Sequence, residues 1–294
     1  MANLLDIRRR IKSVKNTQQI TKAMKMVSAA KLKRAQDRVI SARPFANKMT
    51  GALSDLATGV DEEFHHPLLD PRGDERYLFV VVTADKGLCG AFNTNLLKAA
   101  QVFARENADK KIDVLPVGRK GRDFFRRRQF ALSSEYVGLT GKGRVDYAEA
   151  VEVARDVIKQ FLDDEEIDKV FIIYNEFKSV LSQRVVIEQL LPVAKVDAEG
   201  AEETDSAKTL VEAIYEQPPM EIFSRLLPRL IESQIFRALL ESVASEQGAR
   251  MAAMDSASKN AGELISSLTL NMNRIRQAAI TNEIIEVVSG AAAL

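Results

Sequence analysis

The sequence has no tryptophan, one cysteine and two histidines among 294 residues. With Cys89 alone there is no intrachain disulfide and no thiol-rich metal site, so a reducing compartment fits. His65 and His66 stand side by side beside Pro67, in a loop. They supply neither the further ligands that zinc needs nor a placed base for a cysteine nucleophile. Cys89 therefore reads as a small buried residue. No window approaches 18 uninterrupted apolar residues, which excludes a membrane-spanning helix from the expectation. The first residues, MANLLDIRRRIKSVKN, lack an apolar core followed by a small-residue cleavage site, and no secretory signal is expected.

Proline and glycine are scarce at both ends. From Asn3 to about Leu56 the only proline is Pro44 and the first glycine is Gly51; after Pro228 there is no proline. Each end therefore reads as one long helix, roughly 80 Å and 100 Å in length against about 30 Å for a small domain. Helices that outrun a domain core must pack on each other or on a partner.

The net charge is only +1 but is unevenly spread. Residues 1–50 carry Arg8, Arg9, Arg10, Lys12, Lys15, Lys22 and Lys25, then Lys31, Lys33, Arg34, Arg38, Arg43 and Lys48, opposed only by Asp6 and Asp37. The acidic excess lies at Asp163–Glu166 and Asp197–Asp205. A basic helix suits an acidic partner or is simply a solvated face.

Heptad spacing runs through Leu4, Ile7, Ile11 and Val14, and again through Leu32, Ala35, Val39, Ala42, Ala46, Met49, Leu53 and Leu56. Between them the same positions hold Gln18, Thr21, Lys25 and Ser28, and the apolar residues move to Ile20, Met24 and Val27. That pattern predicts a seam that changes phase. The other end shows 4-3 spacing from Leu240 through Ala244, Gln247, Met251, Met254, Ser258, Ala261, Ile265, Leu268, Met272 and Ile275 to Ala279. Gly248 and Gly262 each weaken that helix by about 1 kcal/mol, so close partner packing must offset them.

The middle alternates strand and helix. Arg76–Thr83 is an apolar run suited to a strand buried on both faces. Helix follows over Asn93–Arg105, strand over Ile112–Val117, helix over Arg119–Arg128, strand over Phe130–Val137 and helix over Asp146–Leu162. Val170–Tyr174 and Arg184–Leu191 complete a mostly parallel sheet with one late antiparallel strand. The fold class is thus α/β with long helical extensions: an antiparallel two-helix coiled coil from the N- and C-terminal helices, plus a central Rossmann-like α/β domain. The divisions are 1–58, 75–195 and 208–294, with Asp197–Ala207 as a surface loop or linker.

The loop Thr83–Asn93 follows a buried strand and opens a helix, where a dinucleotide fold places its phosphate. Its glycines are Gly87 and Gly90, which match neither G-x-G-x-x-G nor the P-loop and which suit a tight turn and close packing. Paired carboxylates such as Glu202 and Glu203 sit in the linker, where nothing tunes a pKa. No catalytic constellation emerges. A Rossmann-type enzyme with helical dimerisation arms and a nucleic-acid-binding coiled coil are the rival readings. For the second, the lack of aromatic residues among the basic positions weakens an RNA or single-strand reading. The Val-, Ala- and Ile-rich end after Asn273 should aggregate unless a partner encloses it.

Three stretches carry a family likeness: Ile11–Val27, Asp85-Lys-Gly-Leu-Cys-Gly90 and Ile280–Ala293. Together they resemble the gamma subunit of the F-type rotary ATP synthase, bacterial type, along essentially the whole chain. The resemblance implies a noncatalytic central shaft of a proton-translocating ATP synthase, inside a ring of three alpha and three beta subunits. Its α/β domain would meet the epsilon subunit and the membrane rotor c-ring. No cofactor, metal or nucleic acid is implied. Attachment would be peripheral, on the cytoplasmic side of the inner (plasma) membrane, and only through partners. Contacts with the alpha/beta ring would come from Met24, Lys25, Arg250, Arg276, Gln277, Thr281 and Glu283. The linker Val196–Ala207 has no thiol, so the redox switch of chloroplast relatives is not expected.

Overall fold

The computed structural model describes residues 4–58, 65–180, 182–193 and 219–292. The expected linker, and residues 208–218 of the expected second helix, lie outside them. The chain forms two compact units: Met1–Ala29 with Arg250–Leu294, and Ala30–Ala249. Two helices contribute to both, α1 (Leu4–Thr58) and α5 (Pro219–Ala292). The second helix starts earlier than the proline pattern predicts and continues through Pro228. A proline inside a helix costs about 3 kcal/mol. Burial of Phe223, Leu227, Leu230 and Ile231 around it supplies the compensating packing.

The first unit is a helix pair. Lys25 Nζ meets Asp255 Oδ1 at 2.6 Å, and Gln18 Nε2 donates to Ser258 O at 3.2 Å. A Cβ on Gly262 would lie 3.1 Å from Gln18 Nε2, so that glycine allows the approach. Partners move down α1 as they move up α5, so the helices are antiparallel. Ile7, Thr21 and Ser28 are buried on α1, and Met254 and Ala261 on α5. Leu4, Ile11, Val14, Met251, Ile265, Leu268, Met272 and Ile275 are half-buried in the expected heptad positions.

The expected change of phase does not occur. Gln18, Thr21, Lys25 and Ser28 stay in the seam, while Ile20 and Val27 are 59% and 57% exposed. The reason is local satisfaction. Lys25 finds Asp255, Gln18 finds a carbonyl across the seam, and Thr21 Oγ1 donates to Gln18 O at 3.0 Å. With its polar groups paired, the stripe has no cause to rotate away.

The second unit holds a five-stranded sheet in the order β3-β2-β1-β4-β5. Strands β1 (Arg76–Val82), β2 (Lys111–Val117), β3 (Ala131–Leu132) and β4 (Lys169–Phe177) run parallel; β5 (Gln183–Leu191) is antiparallel to β4. Helices α2 (Phe92–Glu106), α3 (Arg119–Arg127) and α4 (Tyr147–Asp163) make the crossovers. Asp146 opens α4, its backbone N–H donating to Glu149 Oε2 at 3.1 Å. One core cluster joins Tyr77, Phe79 and Val81 of β1 to Leu96, Leu97 and Ala100 of α2, Phe125 of α3 and Ile173 of β4. The third strand is far shorter than expected: beyond Leu132 only Tyr136 bridges to Val117. Ser133, Ser134 and Glu135 interrupt the apolar run, and Glu135 turns to the guanidinium of Arg126 at 2.8 Å.

Within this unit α5 lies over the carboxyl ends of β1 and β4. Phe177 N donates to Glu241 Oε2 at 3.0 Å, and Ser245 Oγ donates to Asn175 O at 3.0 Å. Ala249 packs with Ala84, Cys89 and Phe92. Every residue of α5 from 238 to 249 is buried.

Candidate functional site

In an open parallel sheet, ligands sit outside the carboxyl ends of the strands where the order reverses, here between β1 and β4. That crevice is filled by α5 itself. The anion-binding amides nearby are also used. The Asp85 carboxylate accepts from Arg119 N at 3.0 Å, Gly138 N at 2.9 Å, Gly141 N at 2.7 Å and Thr140 Oγ1 at 3.1 Å. Burial pushes its pKa up, but these hydrogen bonds together hold it below the usual carboxylate range. An internal carboxylate therefore occupies the α3 N-terminus that a phosphate would seek.

The loop before α2 is held by Asn93, whose Oδ1 accepts from Ala84 N at 3.0 Å and whose Nδ2 donates to Cys89 Sγ at 3.2 Å. Cys89 is buried, as expected. Gly90 takes φ 55°, a left-handed conformation that favours glycine. Gly87 does not owe its place to crowding, since a Cβ there would meet nothing closer than Lys120 Cε at 3.9 Å. His66 is structural: burial lowers its pKa, and its Nδ1 accepts from Leu68 N at 3.1 Å. No group of His, Cys, Asp and Glu among the described residues is arranged to hold a metal ion.

The seven residues named for partner contact fall into three places. Met24 and Lys25 are half-buried on α1, with Lys25 committed to Asp255. Hydrogen bonding from Lys25, then from Lys259, holds the Asp255 carboxyl below its ordinary range. Arg250 presents only 9% of its surface. Arg276, Gln277, Thr281 and Glu283 gather on the last turns of α5, all exposed, with Thr281 Oγ1 donating to Gln277 O at 2.9 Å. Continuing the register set by Lys25 and Asp255 at equal rise brings Leu4 opposite about residue 276. The α5 residues beyond that point outrun the described part of α1. Residues 280–291 are exposed on every face, Val287 and Val288 at 72% and 61%.

Sequence reasoning assigned Ile20 and Val27 to the seam and so missed an outward surface. These residues, with exposed Met26 and Lys22, give α1 a mixed apolar and basic outer face. The available signal was their position off the heptad.

No helix among the described residues is long and apolar enough to cross a membrane. A family model described as ATP synthase matches residues 3–294. The ATP synthase gamma chain of Solibacter usitatus is 53% identical, covering 100% of this chain and 99% of its own length. That of Geobacter metallireducens is 50% identical, covering 99% and 98%. Among solved structures, a chain from the central stalk and c-ring of the Tetrahymena thermophila mitochondrial ATP synthase aligns with a TM-score of 0.61 at 30% identity, covering 81% of this chain and 99% of that one. A chain from the rotor of the Euglena gracilis mitochondrial enzyme shares the fold, with a TM-score of 0.62 at 21% identity, covering 94% and 98%. The described arrangement and these full-length matches agree: the chain belongs to the ATP synthase gamma chain family.

Proposed function

We propose that the chain is the noncatalytic central shaft of a rotary, proton-translocating ATP synthase. The observation that carries this reading is the end of α5, which continues past the described part of its antiparallel partner and exposes Ile284, Ile285, Val287 and Val288 as one contiguous apolar face. Such a surface is stable in water only when enclosed. A ring of three alpha and three beta subunits would supply the enclosure. Arg276, Gln277, Thr281 and Glu283 would meet its loops near the tip, and Met24, Lys25 and Arg250 lower down. The basic, apolar outer face of α1 suits an acidic loop of a beta subunit.

One asymmetric shaft in a three-fold ring cannot touch three catalytic sites alike. Its orientation biases each site toward a different conformation through differential contacts. Segments 1–58 and 208–294 form the shaft in this reading. The α/β domain, 75–195, engages the epsilon subunit and the membrane rotor c-ring. The chain is then held at the cytoplasmic face of the plasma membrane through its partners alone.

The test removes the last turns of α5 from residue 280 onward in the assembled enzyme. Coupled ATP synthesis should fall while alpha and beta subunits still co-purify with the membranes. Full coupling in membranes that lack the chain altogether would end the proposal.

A further inference from the structure

The rotor reading gives the α/β unit two partners, the epsilon subunit and the c-ring, and assigns neither of them to the β3 end of the sheet. Among the described residues strand β3 ends the sheet, so its outer edge faces no other described strand. Beside it lies a groove of about 390 Å³ between the end of α2, the start of β2 and the turn that follows α3. Half-buried Ala104, Ile112 and Phe130 form its floor, and exposed Arg105 and Arg128 stand at its rim. The rim is basic in a chain of net charge +1. Arg126 and Lys110 nearby are already engaged by carboxylates of Glu135 and Asp74. Arg105 has no ion-pair partner among the described residues. The Arg128 guanidinium lies 3.9 Å over the Phe124 ring, which orients it without cancelling its charge.

We propose that this groove docks an acidic, extended segment of a partner protein, laid along the edge of β3. Alternate apolar side chains would rest on Ile112 and Phe130, and the carboxylates between them would reach Arg105 and Arg128. This is strand addition guided by charge. A two-residue edge offers few main-chain groups, so side-chain contacts and charge must carry the affinity, which will be modest and salt-sensitive. A membrane surface fits less well. The exposed apolar residues at the rim, Ala108 and Ala131, are too small to insert between acyl chains. Single-stranded nucleic acid needs an open aromatic face, whereas Phe130 is half-buried with its ring edge-on to Phe125 at 5.4 Å.

The experiment uses the full chain and a fluorescein-labelled peptide of alternating glutamate and valine, followed by fluorescence anisotropy. A glutamine–valine peptide and phosphatidylglycerol vesicles are the comparison probes. Binding should be saturable, fail to occur with the glutamine peptide, and vanish between about 50 mM and 500 mM salt. The double variant Arg105→Glu/Arg128→Glu should bind at least about tenfold more weakly. Both side chains are exposed, so the variant should still fold, with a melting temperature lowered somewhat by the lost Phe124 contact and by a carboxylate at two helix C-termini; a circular-dichroism melt verifies that it is folded at the assay temperature. Absence of binding, equal affinity for the two peptides, or unchanged affinity in the folded double variant would overturn the proposal. So would vesicle binding that exceeds peptide binding and is lost in the same variant. None of these outcomes bears on coupled ATP synthesis, so the rotor reading stands or falls separately.

Discussion

Lys25 and Asp255, 230 residues apart in sequence, meet at 2.6 Å, Lys25 from a heptad position that ordinarily holds an apolar side chain and Asp255 from the position beside buried Met254. The pair fixes which turn of α1 faces which turn of α5, a register role that a buried or half-buried polar contact can serve. It also makes the helix pair sensitive to acid. A carboxyl whose folded pKa is depressed stabilises the folded state above its unfolded pKa, about 3.9, and the contribution is lost as pH falls through the lower folded value. Asp255→Asn should therefore melt at a lower temperature than the parent at neutral pH. The two curves should converge below about pH 4. Circular-dichroism melts of the full chain across that range check this, and a gap that stays constant with pH would exclude the linkage.

Met254 is buried in the same seam, one residue before Asp255. Met254→Asp places a second carboxylate between packed helices, at a cost of several kcal/mol unless the pair opens to water. Met254→Leu keeps the volume and should cost less than about 1.5 kcal/mol. The aspartate variant should fail to assemble with alpha and beta subunits, and the leucine variant should assemble normally. Normal yield of the complex with aspartate would mean that Met254 does not lie in a closed seam.

Much of this arrangement was legible in the sequence, for identifiable reasons. Sparse glycine and proline marked the length of both helices, because each such residue in a helix interior carries a local cost; the start of α5 was missed because packing of Phe223, Leu227, Leu230 and Ile231 offsets that cost at Pro228. The run Arg76–Val82 marked β1, because a strand covered on both faces is apolar on both. The exposed end of α5 was legible as well, since Ile284, Ile285, Val287 and Val288 form an apolar face in a segment with no partner stripe left on the described part of α1. What failed was whatever depends on a distant partner. Gln18, Thr21 and Lys25 look unfit for a seam until Ser258 and Asp255 stand opposite them. Asp85 looks like an ordinary turn residue until Gly138, Thr140 and Gly141 close on it. The brevity of β3 likewise follows from Glu135 turning to Arg126, which periodicity does not encode.

A second charge relationship ties α5 to the sheet. Arg237 reaches both carboxylate oxygens of Glu188, at 3.2 and 3.0 Å, and Tyr174 donates its hydroxyl to Glu188 Oε1 at 3.1 Å. Burial, followed by the opposing pull of Arg237 and the push of Glu188, leaves the Tyr174 phenol well above its usual range. A phenol with a raised folded pKa stabilises the fold fully below the unfolded value, about 10, and that contribution is lost as pH rises through the folded one. Tyr174→Phe should cost about 1 kcal/mol at neutral pH through the lost hydrogen bond. Above about pH 10 its stability should fall less steeply than that of the parent. Some alkaline loss will remain, because burial also raises Tyr136, and raises Tyr77 to about 12. Urea titrations at neutral and alkaline pH measure the slope directly, and parallel slopes would count against the assignment.

The proposed ring contacts separate into two groups that one pair of variants can distinguish. Arg276 and Gln277 are exposed where the described pairing ends, so replacing both by alanine removes little packing among the described residues. Stability should change by no more than about 0.5 kcal/mol. Coupled ATP synthesis should nevertheless drop, since contacts with the ring would be lost. Arg250 is buried, and Arg250→Ala should lower the melting temperature of the chain itself before any effect on coupling is considered. Melting temperature and ATP synthesis measured on both variants in the same strain therefore answer different questions. If the Arg276→Ala/Gln277→Ala chain assembled and coupled as well as the parent, the terminal turns of α5 would not be where the ring takes hold.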